Sequence, residues 1–278
     1  MLPPIVSPSW FAEHRDEVVV ADVRWYLDGR SGREAHEAGH IPGAVFVDLD
    51  AWLAAPASVA EGRHPLPDPA VFAMGLGALG IGDGDAVVAY DDAGGVIAAR
   101  LVWMLRAVDH DAALLDGCLD AWLASHGDGA LEVGPVAARP RSLSTRAWPA
   151  ERLADLDEVS RASADQGPLL VDARAPERYR GDEEPVDARA GHIPGAVNLP
   201  TRDHVGPDGL HLAPEALRER FAAAGAAGRE VIAYCGSGVT ACHTLLALEH
   251  AGLPAGRLYP GSWSQYAAAP GLPVATAH

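Results

Sequence analysis

The sequence contains no lysine, and all 21 of its basic residues are arginine. Catalysis through a lysine Schiff base, pyridoxal-phosphate chemistry included, and a Walker A phosphate loop are therefore excluded. The 38 acidic residues outnumber these 21 arginines, which gives a formal charge of −17. Nucleic acid is not expected as a partner, because phosphate neutralisation requires clustered lysine and arginine.

Long apolar runs and cysteines are also scarce. A helix that spans a bilayer needs about 20 consecutive apolar residues, and no stretch is that long, so no membrane association is expected. Three cysteines in 278 residues do not suit a disulfide framework, and they favour a reducing, cytoplasmic location. The N-terminus lacks the charged and apolar regions of a signal peptide.

Signals for a bound metal or cofactor are weak. The three cysteines show no Cys-x2-Cys spacing, which a structural zinc site would favour. The glycines at 75–80 have the spacing of a dinucleotide fingerprint, but they end an apolar helical segment instead of following a strand. We therefore predict neither a metal nor a cofactor.

One heptapeptide, Gly-His-Ile-Pro-Gly-Ala-Val, occurs at residues 39–45 and again at 191–197. A repeat with a period near half the chain indicates a duplicated domain and not a solenoid. Shorter matches surround both copies in the same order, namely 18–24 with 169–174 and 87–90 with 231–234. The predicted division is an N-terminal domain at 1–128, a linker at 129–147 and a C-terminal domain at 148–278.

Both halves show the alternation of strands and helices that is typical of α/β domains. Short apolar segments rich in β-branched residues predict buried parallel strands, and segments with helical periodicity lie between them. The predicted strands are 18–23, 86–90, 169–172 and 230–234, and the predicted helices include 69–79, 96–107, 214–224 and 239–251. This pattern indicates two mainly parallel sheets, each with helices on both faces.

Chemistry concentrates in the segment 234–240, Tyr-Cys-Gly-Ser-Gly-Val-Thr, between a predicted strand and a predicted helix. Two glycines close behind Cys235 suit a tight loop whose backbone N–H groups turn inward. A helix that begins near Val239 would direct its positive end at the sulfur. Both effects favour the thiolate, so Cys235 is predicted to be a nucleophile. The alternative is a buried structural cysteine, the interpretation that we give to Cys118 and Cys242.

The paired heptapeptides and the Cys-Gly-Ser-Gly-Val-Thr loop resemble those of the tandem-domain rhodanese sulfurtransferases, and most closely the 3-mercaptopyruvate sulfurtransferase branch. The resemblance covers essentially the whole chain. It implies two tandem rhodanese-like α/β domains with the active site in the cleft between them. At the position of Cys235 the first repeat carries Asp91, so the resemblance also implies a catalytically silent N-terminal domain.

The mechanism that the resemblance implies is sulfur transfer through a Cys235 persulfide. The donor is 3-mercaptopyruvate or thiosulfate, and the acceptor is cyanide, a small thiol or thioredoxin. The backbone of the loop is expected to hold the persulfide through Gly236, Gly238, Val239 and Thr240, with Ser237 within the same loop.

The resemblance assigns proton handling to Ser237 and to His40. The alternative for His40 is a turn residue that only fixes its loop. Ser31 stands where the family often has an aspartate that completes such a relay. Either one of the nearby acids substitutes, or no relay of this kind operates. The nearby acids are Asp28, Glu34 and Glu37.

An anionic donor needs cations in spite of the net charge. Arg178 matches a substrate-binding arginine of the family, and a planar guanidinium suits an oxyanion. For a second arginine, Arg189 is the best candidate and Arg180 the reserve. The alternative is that these arginines form salt bridges with the acids at 182–184, which is the preferred interpretation for Arg180.

Rival functions remain at this point. A thiosulfate-preferring rhodanese is one, although neutral residues after Cys235 favour mercaptopyruvate. A cysteine phosphatase would need Cys-x5-Arg, and the sixth residue after Cys235 is Ala241. A binding or sensing module without catalysis is the alternative from another class. The oligomeric state stays open.

Overall fold

Parallel β-strands form the centre of both repeats in the computed structural model, which describes residues 1–161 and 167–277. Contacts between Cα atoms divide the chain into two units. The first comprises Met1–Ala55, Pro67–Trp148 and Pro207–His211, and the second comprises the described parts of Pro56–Leu66, Pro149–Gly206 and Leu212–His278. The segment Pro56–Leu66 therefore belongs to the unit of the second repeat, although it lies within the first repeat in sequence. The boundaries 1–128, 129–147 and 148–278 stay a prediction, of which residues 162–166 and 278 lie outside the described part.

The first unit contains a sheet of five strands in the order β1-β5-β4-β2-β3, and every pair in it is parallel. The strands are β1 (Ile5–Val6), β2 (Val18–Asp22), β3 (Val45–Phe46), β4 (Ala86–Tyr90) and β5 (Ala112–Leu115). The helices are α1 (Pro8–His14), α2 (Gly32–Ala38), α3 (Pro69–Ala78), α4 (Ala98–Ala107) and α5 (Cys118–His126). Strand β4 has the predicted bounds, and β2 ends one residue before the predicted end.

In the second unit, four parallel strands are described in the order β7-β6-β8-β9. The strands are β6 (Leu169–Asp172), β7 (Val197–Asn198), β8 (Val231–Tyr234) and β9 (Arg257–Leu258). The helices are α6 (Leu156–Arg161), α7 (Pro176–Arg180), α8 (Pro214–Ala223), α9 (Ala241–His250) and α10 (Ser262–Ala268). The α/β class and the parallel sheets predicted from the sequence are confirmed.

The two central strand pairs have the same register. Asp22 at the end of β2 lies beside Tyr90 at the end of β4, and Asp172 at the end of β6 lies beside Tyr234 at the end of β8. Carboxyl ends of parallel strands share one edge of a sheet, where ligands of α/β proteins bind. The residues after Tyr90 and Tyr234 are therefore at that edge.

Buried polar contacts explain the repeated heptapeptide. In the first repeat, Arg24 Nη2 donates to Asp22 Oδ2 (2.6 Å) and to the carbonyl of Gly39 (2.7 Å), while the hydroxyl of Tyr90 accepts from the N–H of Ile41 (3.0 Å). The motif is thereby fixed against the ends of two strands. The second repeat makes these contacts through Arg174, Asp172, Gly191, Tyr234 and Ile193.

No helix within residues 1–161 and 167–277 is both long and apolar enough to cross a membrane. Over the same ranges, no three histidine, cysteine, aspartate or glutamate side chains are grouped so that they could hold a metal ion. Residues 36–40 read His-Glu-x2-His, the spacing of a zinc-binding helix. Here α2 ends at Ala38, His36 Nδ1 pairs with the Asp22 carboxylate at 3.0 Å, and His40 Nδ1 bonds to the carbonyl of His36 at 2.8 Å.

Candidate active site

Cys235 directly follows β8 and is 3% exposed. Its N–H donates to Ser262 Oγ (3.2 Å), and its carbonyl accepts from the N–H of Trp263 (3.0 Å). The next carbonyl, that of Gly236, accepts from the N–H of Ser264 (2.9 Å). The start of α10 therefore fixes the backbone on both sides of the sulfur.

The helix after the loop begins later than the sequence suggests. Prediction placed its start near Val239, but α9 begins at Ala241 with Thr240 as its N-cap. The carbonyls of Val239 and Thr240 accept from the N–H groups of Cys242 and His243 (3.1 and 3.0 Å), so the first turn is tighter than an α-helical turn. Gly238, directly before this turn, has a φ of +78° in the left-handed region. Only glycine fits here, because a Cβ would stand 2.5 Å from the carbonyl oxygen of Pro260.

In the first repeat, the equivalent loop surrounds a carboxyl group. Asp91, which occupies the position of Cys235, is fully buried. Burial raises the pKa of its carboxyl group, and hydrogen bonds from four backbone N–H groups oppose that shift. The donors are Ala93, Gly95, Ile97 and Ala98, at 2.7–2.9 Å. The loop after the strand is thus built to surround an anion with N–H donors.

The same positions of the second repeat lack such a carboxylate. Ser237 and Val239 follow Cys235 by two and four residues, as Ala93 and Gly95 follow Asp91. Among the described residues, nothing accepts a hydrogen bond from the N–H of Ser237 or Val239. These N–H groups are available to an anion carried by the Cys235 sulfur.

Ser237 has a partner that the sequence analysis did not identify. His64 Nδ1 lies 2.8 Å from Ser237 Oγ, and both side chains are buried. The segment of His64 is itself held to α10, since the N–H of Arg63 donates to Ser264 Oγ (3.0 Å). No periodicity marks residues 56–66, and 173 positions separate the two partners, so only the tertiary fold identifies this pair.

Two arginines face the loop. A Cβ placed on Gly236 would stand 3.2 Å from Arg63 Nη2 and 3.5 Å from Arg178 Nη1. Arg178 was predicted from the sequence, whereas Arg63 was not. Glycine at this position leaves room for both guanidinium groups beside the residue that follows the nucleophile.

Carboxylates hold these arginines in place. Arg178 Nη2 donates to Glu184 Oε1 (2.6 Å) and to Asp187 Oδ2 (3.1 Å), and Arg63 Nη1 donates to Asp187 Oδ1 (2.7 Å). Burial alone would raise the pKa of Glu184, but the hydrogen bond from Arg178 and two backbone N–H donors, with the charge of Arg178, hold that pKa below its ordinary value.

The other predicted arginines are engaged elsewhere. Arg180 pairs with Asp182 (2.8 Å) at the surface, in agreement with the salt-bridge interpretation. The guanidinium of Arg189 donates to backbone carbonyls, which fixes α10 and the residues after it to the chain just before the 191–197 motif. Its acceptors are Tyr266, Ala267, Ala269 and Leu272, at 2.7–3.2 Å. A substrate role for Arg189 stays a prediction.

His40 lies in the first unit, and its contacts are with other residues of that unit. Its ring is buried and stacks on His36 with 3.9 Å between centroids, and its Nε2 is 3.8 Å from Glu132 Oε2. Its counterpart His192 stacks on Tyr179 at 3.7 Å. Ser31 caps α2 by accepting from the N–H of Glu34 (3.1 Å). The catalytic role of His40 stays a prediction.

Comparison with protein families places this geometry in context. The model described as "Rhodanese-like domain" matches residues 7–125 and 155–269. The chain belongs to the rhodanese-like domain family. The tandem architecture expected from the repeat is confirmed, with one rhodanese-like domain in each half.

Individual relatives of this rhodanese-like chain are similar over nearly their full length. A Pseudomonas aeruginosa protein named as a probable 3-mercaptopyruvate sulfurtransferase is 43% identical, over 94% of this chain and 93% of the relative. The human 3-mercaptopyruvate sulfurtransferase is 37% identical, over 94% and 91%. The crystal structure of SseA from Escherichia coli, described as a 3-mercaptopyruvate sulfotransferase with the rhodanese fold, superposes with a TM-score of 0.79 at 32% identity, over 95% and 100%.

Proposed function

We propose that this protein is a sulfurtransferase that moves sulfur from 3-mercaptopyruvate to a thiophilic acceptor through a persulfide on Cys235. One observation carries the proposal: the loop type that surrounds the Asp91 carboxylate with four N–H donors surrounds a cysteine in the second repeat. A thiolate or persulfide is the anion that such a loop stabilises. Relatives named as 3-mercaptopyruvate sulfurtransferases support the same function.

The first half-reaction transfers one sulfur atom to the enzyme. The Cys235 thiolate attacks the thiol sulfur of mercaptopyruvate, an S–S bond forms and the C–S bond of the donor breaks. The electron pair of that C–S bond leaves with the enolate of pyruvate, which takes up a proton. In the second half-reaction the acceptor attacks the outer sulfur, the S–S bond breaks and the thiolate returns; with cyanide the product is thiocyanate.

Donor binding and proton handling fall to residues around the loop. We assign the donor carboxylate to Arg178 and Arg63, since a guanidinium fork suits a carboxylate. We assign proton movement to Ser237 and His64, which share a hydrogen bond of 2.8 Å, because imidazole exchanges protons near neutral pH. The predictions for His40 and Arg189 are left to experiment.

The substrates are a small-molecule sulfur donor and acceptor. Thioredoxin as acceptor and a cytoplasmic location are further parts of the proposal. Three cysteines without a disulfide support a reducing compartment. Thiosulfate is the second candidate donor, because the two guanidinium groups beside Gly236 also suit a sulfonate.

The test is a comparison of both donors on the native protein. Thiocyanate formation is measured with cyanide as acceptor, and the protein is analysed by mass spectrometry after exposure to donor alone. We expect mercaptopyruvate to give the higher kcat/KM and to leave one added sulfur atom on the peptide of Cys235. Absence of added sulfur on Cys235 with either donor would contradict the proposed function.

We expect His64→Gln to lower kcat with mercaptopyruvate about 100-fold and to change KM little, since general acid–base catalysis contributes about 100-fold or more. Ser237→Ala should give a similar loss, and the double variant should be no worse than either single one, because groups that act as a unit are not additive. Steady-state kinetics at fixed pH measure all three.

His40→Gln is the informative comparison, because the sequence predicts that histidine for the same step. Its folded state is checked by thermal unfolding, since His40 is buried. A larger loss of kcat in His40→Gln than in His64→Gln, at equal stability, would show that the assignment to His64 is wrong.

A further inference from the structure

Asp187 lies between the two arginines that face the loop. Each of its carboxylate oxygens accepts from a different guanidinium: Oδ1 from Arg63 Nη1 at 2.7 Å and Oδ2 from Arg178 Nη2 at 3.1 Å. The carboxylate is 4% exposed, whereas the arginines are 26% and 21% exposed. A nearly buried acid therefore bridges two cations whose outer N–H groups remain partly accessible.

The Asp187 carboxylate cancels part of the positive charge of the two arginines. Arg174 is already paired with Asp172 (2.7 Å) and with Glu184 (3.2 Å), and Glu184 also pairs with Arg178. Counting Arg63 and Asp187, the cluster holds three cations and three anions, so it is neutral overall. The Cys235 thiolate adds one negative charge beside it.

A neutral cluster discriminates between donors by their charge. Mercaptopyruvate presents one carboxylate, which two guanidinium groups can bind through hydrogen bonds. Thiosulfate is a dianion, and it must approach the same arginines while the three buried carboxylates and the thiolate repel it. Such repulsion is strong in a partly desolvated site, where the effective dielectric constant is low.

We propose that Asp187 is a specificity-determining residue that restricts this anion site to singly charged carboxylate donors, and that Arg63 is the second donor-binding arginine beside Arg178. The inference rests on the proposed sulfur transfer through Cys235. Asp187 does not touch the reacting atoms; it positions the two arginines and cancels one of their charges.

Two substitutions move the donor preference in opposite directions. Asp187→Asn removes one negative charge and leaves a side chain that can accept through one oxygen only. The ratio of kcat/KM for thiosulfate to that for mercaptopyruvate is expected to rise about two- to fivefold, the size of effect of one partly exposed charge pair. Arg63→Gln removes one positive charge, and the same ratio is expected to fall about two- to fivefold.

The experiment measures both donors, with cyanide as acceptor, on the native protein and on the two variants at constant ionic strength. Asp203→Asn is the matched control, because Asp203 also pairs with an arginine, Arg220, at 2.7 Å. Its donor ratio should equal that of the native protein. If Asp187→Asn does not fold, the fall of the ratio in Arg63→Gln still tests the inference.

The outcomes distinguish a failure of this inference from a failure of the proposed sulfur transfer. A native enzyme that is active with mercaptopyruvate, together with unchanged donor ratios in the folded variants, overturns the role of Asp187 alone. An unchanged KM for both donors in Arg63→Gln would likewise reduce Arg63 to a structural residue. A native protein that puts no sulfur on Cys235 from either donor overturns the proposed function and this inference with it.

Discussion

Replacement of Cys235 by serine is expected to lower kcat/KM with mercaptopyruvate by about 1000-fold or more, because the nucleophile and the carrier of the transferred sulfur are both lost. A serine hydroxyl is not ionised near neutral pH and forms no persulfide. The exchange changes the volume of a buried side chain very little, so the fold should be retained. The measurement is the cyanide-dependent assay, with mass spectrometry of the donor-treated variant.

Cys118→Ser is the matched control within the same chain. Cys118 follows a strand of the first unit, its Sγ donates to the carbonyl of Leu115 (3.3 Å), and burial raises the pKa of its thiol well above the ordinary value. A thiol that stays protonated is a poor nucleophile, so this variant should keep native activity. Full activity of Cys235→Ser would mean that the persulfide mechanism is wrong.

Local sequence signals were sufficient to predict the two central strands of each sheet. The strand Ala86–Tyr90, for example, is apolar, contains two valines and lies between two aspartates, so it carries its own signal. The duplicated heptapeptide located the two domains, and glycines after Cys235 marked the loop. These features could be predicted because the physical cause of each one lies within a few residues of it.

The site residues that the sequence analysis missed are placed by contacts with residues far away in the sequence. Arg63 and His64 lie in a segment without periodicity, and their partners Asp187 and Ser237 are 124 and 173 positions away. Contacts of this kind are set by the packing of elements, and no pattern within the segment of Arg63 records them. Their assignment to the loop depends on the fold and not on composition.

Arginine illustrates a second limit of sequence reasoning. Its five N–H donors suit a substrate oxyanion and a set of backbone carbonyls equally well. Arg178 lies beside Gly236, whereas Arg189 bonds to four carbonyls of the C-terminal segment. The two positions look alike in sequence, because the choice depends on which acceptors the folded chain brings within reach.

The loop of the first repeat should make a large contribution to stability. We expect Asp91→Ala to lower the free energy of unfolding by about 3–5 kcal/mol, because several backbone N–H groups lose their acceptor and each unsatisfied buried donor costs about 1–3 kcal/mol. Here the partners are the four N–H groups that bond to the Asp91 carboxylate. Unfolding in urea, followed by circular dichroism, measures the change.

Asp92→Ala is the control, one residue further along. Asp92 is exposed, and the same substitution there should cost about 1 kcal/mol or less. Asp91→Asn should lie between the two, because the amide keeps one acceptor oxygen and places an NH2 group among donors.

Equal unfolding free energies for Asp91→Ala and Asp92→Ala would mean that the carboxylate does not hold the loop. The comparison of repeats that supports an anion on Cys235 would then lose its basis. A large difference would instead show that the Asp91 carboxyl group organises the loop of the first repeat, while the second repeat leaves the same place to the anion formed on Cys235 during turnover.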